Sequence, residues 1–544
     1  MKHSIWMCAG LALAAAQAGI VEETHSKPEL AASVEIAPFT EIRQKLVGLG
    51  TLVKNPIVPM ALVPAIQSAI AENMGELRPD AAITVRTYVY QPAWQIAVTS
   101  DVEYAVEDLM KTEVAYADSP KAPRPLVRAE ITATGLSALE DYLGQTDEEG
   151  KRERAAMGDE ISGLDLWLRL CDENRDPATE VDLRAYARSR LLVDLDPRGL
   201  SFDFCLEPRP GGKASPAAGF RLPAGALDGV PDGASFALAV NDMLTGLCKD
   251  EKEWKASNES SARVAEGLLR HALKSKKVQK YVPVLNGVVA AWTAELRAAE
   301  FPDPADWSVC ALAFGTNREP YFVSGGVAVA ARRQDASDIR FLDALAAAVE
   351  KQWPGRGLVH ASAGRLTIDY AAVLDVAAAE SHVKGADREL ARAKSRLGRI
   401  LGATKGELAV MPQAGTAHAA VYGPAGFRRP ASQKTTGEAR FAAILPETVA
   451  DRPSCAGWLS SYALARDFVL PAAVEFVPKR HRSLYQAVLR SLPPAGQSSA
   501  IAGAYWSRSD GSHRLLLRVT ADELKNYGAV YNVYSAARLS PRGN

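Results

Sequence analysis

The chain has 544 residues, with 63 Lys+Arg against 64 Asp+Glu and a formal net charge of −1. Hydrophobic residues make up 47% and charged residues 23%, an ordinary globular composition that excludes a disordered or collagen-like chain. Past the leader, no run of about eighteen apolar residues is free of charge and proline. The nearest, Leu46 to Ile66, is broken by Lys54, Asn55, Pro56, Pro59 and Pro64, which argues against a multi-span membrane protein.

The N-terminus reads as an address. Lys2 and His3 form a short positive start, Ile5 to Ala16 an apolar run, and Ala16-Gln17-Ala18 a small-x-small cleavage pattern. These are the three parts of a secretory signal peptide over residues 1–18, so the chain is expected to be exported to a periplasm or cell exterior. Cys8 lies inside the apolar run.

The elements then follow in an order that recurs. A strand at Ser33–Ile36 precedes helical sequence over Thr40–Met74. A hairpin of Ile83–Tyr90 and Trp94–Val98 follows, around Gln91-Pro92, and Ser100-Asp101 caps a helix through Met110. A second hairpin, Arg190–Leu195 with Leu200–Leu206, turns at Asp196-Pro197-Arg198-Gly199. The order restarts with a strand at Ser235–Val240, helices over Ser261–Leu296, and a hairpin of Trp307–Phe314 and Tyr321–Ala330. A helix from Ser337 to Trp353 follows, presenting Ile339, Leu342, Ala346, Val349 and Trp353 on one face. Glu407–Met411 and Ala417–Tyr422 form the next hairpin, about Gln413-Ala414-Gly415. The third round runs from a strand at Ser461–Leu464 through helices over Tyr462–Leu492. Ala500–Trp506 and His513–Val519 then flank Ser509-Asp510-Gly511, and a last helix opens on the capping box of Thr520 and Glu523.

Pro/Gly-rich stretches at Pro208–Pro216 and Pro424–Pro430 mark the boundaries. The expected fold is therefore α+β, in two full modules (19–216 and 217–430) and a shorter third (431–544). Each is an antiparallel sheet with helices on one face. A period near 200 residues is too long for a solenoid.

Charge is uneven along the chain. From Lys384 onward there are 23 basic and 11 acidic residues, whereas Glu140–Asp182 holds 14 acids against 5 bases. Such asymmetry marks either a partner surface or solvated faces of opposite sign. The basic third could face anionic lipid, acidic polysaccharide or an acidic protein; the basic run Lys384–Arg399 carries no nucleic-acid-binding motif, and none is expected to bind.

No motif identifies a reaction. Cys171, Cys205, Cys248, Cys310 and Cys455 are an odd set without C-x-x-C spacing, so neither a disulfide framework nor a zinc knuckle is expected, and their pairing is open. His25, His271, His360, His382, His418, His481 and His513 include no helical i, i+4 pair, and no metal is expected. Asp172, Asn174 and Asp176 have the alternate spacing of a calcium loop, but Pro177 stands where the turn needs Gly and Leu183 where it needs Glu. Gly48-Leu49-Gly50 lacks the third glycine of a dinucleotide turn and sits in a helical pattern, so no nucleotide cofactor is expected. Gly135-Leu136-Ser137-Ala138-Leu139 fails the nucleophile elbow at its last position. Acid pairs such as Glu148-Glu149 and Asp159-Glu160 could serve a glycosidase only if two carboxyls converge.

One aromatic cluster stands out. Leu524, Tyr527, Tyr531 and Tyr534 fall on one side of the last helix, either as a core face or as a grip for a partner, since tyrosine joins an apolar ring to a polar tip. The leading expectation is an exported, non-catalytic binding or scaffold protein whose partner is an envelope protein, a glycan or a lipid. A secreted hydrolase of polysaccharide or peptide, and a periplasmic carrier of an apolar ligand, are the two alternatives.

Overall fold

The structure is a computed structural model. It describes residues 28–54, 57–74, 76–90, 110–117, 125–156, 163–174, 183–211, 218–227, 230, 234–241, 250–274, 282–303, 305–314, 323–330, 337–362, 365–381, 391–392, 395, 405–412, 418–424, 437–477, 479–496 and 498–539. The leader, the Trp94–Val98 strand with its Ser100-Asp101 cap, His25, His382 and Cys248 lie outside these residues.

In chain order the elements are β1 (Pro28–Ile36), α1 (Phe39–Leu52), α2 (Ile57–Met74), β2 (Ile83–Tyr90), β3 (Met110–Tyr116), β4 (Val127–Thr132), α3 (Ala133–Ala156), α4 (Gly163–Asn174), β5 (Tyr186–Asp196) and β6 (Gly199–Pro208). Then come β7 (Ala234–Asn241), α5 (Glu251–Ala272), α6 (Val282–Ala298), β8 (Trp307–Phe314), β9 (Val323–Ala330), α7 (Ser337–Gln352), β10 (Val359–Ser362), β11 (Arg365–Asp369), α8 (Tyr370–Ser381), β12 (Lys405–Pro412) and β13 (His418–Pro424). The last part carries α9 (Gly437–Ile444), α10 (Glu447–Ala450), β14 (Cys455–Leu459) and a helical run, α11, made of Ser461–Leu464, Ala465–Val469 and Leu470–Phe476. It closes with α12 (Lys479–Ser491), β15 (Ile501–Ser507), β16 (His513–Thr520) and α13 (Ala521–Leu539). The fold is thus mixed α+β with antiparallel pairing. Among the described residues, no helix is long and apolar enough to cross a membrane.

Two compact units divide the chain: residues 1–150, 181–218 and 503–544 form one, and 151–180 with 219–502 the other. In the first unit the strand order is β15-β16-β6-β5-β4-β1-β2-β3. Its last strand pair therefore reaches back to strands some 300 residues earlier, as the 311-residue separation of Asp203 and Arg514 records. Registry is fixed by two neighbouring rows across seven strands. One row is apolar: Val114, Val85, Val34, Ala129, Leu191, Phe204 and Leu515. The next row, on the opposite face, is polar: Glu113, Arg86, Ser33, Glu130, Arg190, Cys205 and Arg514. A slip of one residue in any strand would put charge into the apolar row, so the two-residue alternation specifies the pairing. On β2 the outcome is plain. Ile83, Val85, Thr87 and Val89 are buried, while Arg86 between them is exposed.

The β5–β6 turn forms where Asp196-Pro197-Arg198-Gly199 predicts it. The Asp196 carboxylate accepts from the Arg198 and Gly199 amides at 2.7 and 3.2 Å, and Gly199 takes φ +132°, where a Cβ would sit 2.0 Å from the Val519 carbonyl. The β15–β16 turn at Asp510-Gly511 and the Thr520 cap of α13 also form as expected: the Glu523 amide donates to Thr520 Oγ1 at 3.2 Å. Glycine at 511 has φ +81°.

In the second unit the order is β10-β11-β12-β13-β9-β8-β7-β14, all neighbours antiparallel. Buried small residues at Ala237 and Ala239 pack beside Trp458, whose ring meets Phe441, stacked at 6.3 Å, and the Arg440 guanidinium at 5.0 Å. The helices α4 and α5 share an apolar contact of Leu166, Leu170 and Val264.

Three expectations are corrected. Met110 opens a strand rather than ending a helix, and β3 pairs with β2 from Val89↔Met110 to Ile83↔Tyr116. Residues Ser461–Leu464 are helical; the strand is Cys455–Leu459, six residues upstream. The reason is Ser460, whose amide donates to Ser235 O at 2.6 Å to end the ladder, while its carbonyl accepts from Leu464 to start the helix. The helix expected from Ser261 starts ten residues earlier at Glu251, because Asp250 caps the Glu253 amide at 2.8 Å.

Candidate functional site

The polar row of the first unit is laced across its strands. Lys111 pairs with Glu113 at 3.0 Å, Arg128 with Glu35 at 3.9 Å, and Arg188 with both Glu130 at 3.5 Å and Glu207 at 2.5 Å. At the far end Arg514 grips Asp203 with two parallel bonds of 2.9 and 2.8 Å and lies 5.1 Å above the Trp506 ring. Exposure falls along the row, from 51% and 47% at Lys111–Glu113 to 25% and 22% at Arg514–Asp203. The same alternation therefore yields screened surface pairs at one end and a fixed, partly buried bidentate pair at the other.

A recess of about 480 Å³ opens at this second end, where β5, β6 and the β15–β16 turn meet. Arg190, Cys205, Glu207, Arg209, Arg508, Asp510, Ser512 and His513 line it. The turn is rigid: Arg508 N–H donates to Ser512 O at 2.9 Å, Gly511 N–H to Arg508 O at 2.9 Å, and Ser512 N–H to the Asp510 carboxylate at 2.8 Å. These bonds from Ser512 hold the Asp510 carboxyl below the usual carboxylate range. Arg209 is fixed by its amide to Ala185 O at 2.9 Å and by Nε to Tyr186 O at 3.3 Å.

Arg190 differs from its neighbours. Arg188 and Arg514 each have a carboxylate, but among the described residues Arg190 reaches only the Cys205 thiol, at 3.9 Å through Nη2, and its Nε has no hydrogen-bond partner there. Cys205 in turn donates to Asp203 Oδ1 at 3.7 Å. Burial, then the Asp203 charge, pushes the Cys205 pKa up, against the pull of Arg190 and Arg514. The thiol is thus kept protonated at neutral pH, the opposite of what a nucleophile needs. His513 is held by Tyr505, whose hydroxyl meets Nδ1 at 2.7 Å and whose ring stacks on it at 5.9 Å, with Tyr186 edge-on at 5.8 Å. Burial lowers the His513 pKa, against the opposing Asp510 charge, so the ring is neutral at pH 7.

Cys205 and His513 line one recess but do not form a catalytic couple. Cys205 pairs with Arg514 and Leu206 with His513, so the two side chains leave the sheet on opposite faces. The lining sets the Arg190 cation among the carboxylates of Glu207 and Asp510.

The residues singled out in the sequence fall elsewhere. Tyr527 and Tyr531 are 44% and 47% exposed on α13, with Val530 beside them, so they do not form a core face, and neither lines the recess. The Tyr534 side chain lies outside the described residues. Inward from α13 go Glu523, Asn526 and Gly528 instead. Asp172 and Asn174 end α4, and Asp176 lies outside the description. Gly48-Leu49-Gly50 is within α1, as its pattern suggests. Among the described residues no group of His, Cys, Asp and Glu is gathered to hold a metal ion. Among the described residues Cys171, Cys205 and Cys455 are not joined in a disulfide, and burial pushes the Cys455 pKa up to about 11.

Sequence reasoning passed over Arg190, Asp203 and Arg514 and took Cys205 only as one of an odd set of cysteines. Their signal is the alternation Arg188-x-Arg190, Asp203-x-Cys205-x-Glu207 and Arg514, which becomes a site only once β16 lies beside β6. Comparison with protein-family models, with curated proteins and with solved structures gives no match.

Proposed function

We propose that this is an exported binding protein that takes an acidic saccharide of an envelope partner into the recess beside Arg190. The observation that carries the reading is Arg190 itself, a guanidinium whose one polar contact among the described residues is a thiol at 3.9 Å while the arginines on either side hold carboxylates. Guanidinium forks suit a carboxylate, and a sugar's hydroxyls would donate to Glu207 and Asp510, which would repel a simple anion. A protonated Cys205 and a neutral, tyrosine-bound His513 on opposite faces favour binding over turnover. Export rests on the leader at residues 1–18, and N-terminal sequencing of the protein from an envelope fraction checks it: a start near Gly19 supports export, and an intact Met1 in cytosol opposes it.

The recurring order of strand, two helices and hairpin supports related modules. It runs β1-α1-α2-β2-β3, then β7-α5-α6-β8-β9, then β14-α11-α12-β15-β16. Limited proteolysis that cuts first within Pro208–Pro216 and Pro424–Pro430 fits this reading, whereas first cuts inside a strand or helix contradict it.

The recess is tested by peptide-resolved alkylation of the full chain at pH 8 with and without oligogalacturonate. Slower labelling of Cys205 with unchanged labelling of Cys171 supports saccharide binding beside Arg190. Equal Cys205 rates at millimolar oligosaccharide refute it.

A further inference from the structure

Strand β3 ends the first unit's sheet, and no described residue pairs with its outer edge. An open edge presents a row of unpaired N–H and C=O groups, a ready template for another strand. The edge runs over Met110–Tyr116, and its first five residues, Met110-Lys111-Thr112-Glu113-Val114, are complementary to their own reversal. Apolar residues stand at 110 and 114, opposite charges at 111 and 113, and a small hydroxyl at the centre.

We infer that β3 pairs antiparallel with β3 of a second copy of this chain, about a two-fold axis at Thr112. In that register Lys111 faces the partner's Glu113 and Glu113 faces the partner's Lys111. Met110 likewise faces the partner's Val114, and Val114 is 38% exposed without it. Neighbouring registers fail. Centring on Glu113 sets Glu113 against its own copy, and a one-residue slip sets the charged face of one strand against the apolar face of the other. The Thr112 register also extends the charge alternation already present, since Glu113 sits between Arg86 on β2 and the partner's Lys111. The occupant is a second copy because complementarity to itself is the one feature that the five residues display. An unrelated edge strand would need no such symmetry. A C2 contact of this kind is closed and self-complementary.

Both charges are half exposed, and the β2–β3 ladder is made by backbone groups, so their substitution leaves it in place. The test is sedimentation equilibrium of the full chain from about 1 μM to 500 μM, a range suited to a small interface, with circular dichroism confirming that each variant folds. Wild-type chain dimerises across this range. Lys111→Glu sets two like-charge pairs against each other and weakens the dimer about tenfold, as does Glu113→Lys. The double variant Lys111→Glu/Glu113→Lys restores opposite charges and returns the affinity to within about threefold of wild type. Thr112→Cys, at the axis, cross-links to a dimer on mild oxidation, and Ala115→Cys, off the axis, does not. A wild-type chain monomeric throughout the range overturns the inference. So does a folded double variant that stays as weak as the single ones, or a Thr112→Cys chain that fails to cross-link.

Discussion

The two ends of the first unit's polar row each carry a pair of opposite charges and do different things. At β3, Lys111 and Glu113 meet in water at 51% and 47% exposure; at β16, Arg514 and Asp203 are 25% and 22% exposed, two-pronged, and capped by Trp506. Coverage decides between them. A screened pair costs little to keep and contributes little to stability, so it remains available to a partner. A partly buried two-pronged pair is rigid and cannot be broken cheaply, which fixes the strands that carry Cys205 and His513 to the recess.

The strongest way to break this contrast is to remove its lid. Trp506 is fully buried, and Trp506→Ala is expected to cost about 3–5 kcal/mol in denaturant melts, for the lost ring and the cavity left behind. Next is the pair itself. Asp203→Asn leaves the Arg514 guanidinium without its carboxylate and should lower stability by about 1–3 kcal/mol. The matching change at the open end, Glu113→Gln, should leave the denaturant midpoint close to that of wild type. Equal losses at the two ends would mean that coverage does not separate them. The cap of α13 comes third: Thr520→Ala should cost about 1 kcal/mol through the Glu523 amide.

The smallest effect sharpens the electrostatics of the recess. Burial lowers the folded pKa of His513, so the unfolded chain binds its proton first as pH falls. The stability this residue contributes is therefore complete above its unfolded pKa of about 6.5 and is lost as pH drops below it. Melting curves between pH 7.5 and 5.5 should fall less steeply in His513→Gln than in wild type; parallel slopes would contradict a buried neutral imidazole.

Local chemistry made much of the fold legible. Asp196-Pro197-Arg198-Gly199, Asp510-Gly511 and the Thr520–Glu523 cap are short-range signals whose energies do not depend on distant chain, and each forms as read. The strand at Cys455–Leu459 was misplaced because its end is set by Ser460 donating to Ser235, a partner 225 residues away that no window contains. The recess was hidden for the same reason. Arg190 and Cys205 come from one hairpin, but His513 and Asp510 join them only through the β6–β16 pairing. Tyr527 and Tyr531 have the spacing of a helix face, and spacing alone does not say whether that face turns in or out.

The most direct test of the account is a calorimetric titration of the full chain with oligogalacturonate, comparing wild type with Arg190→Met, which keeps the stem and removes the charge. Binding by wild type that weakens at least about tenfold in Arg190→Met, with melting temperature unchanged, is the predicted result. Identical isotherms for the two chains, or no heat from wild type, would contradict it.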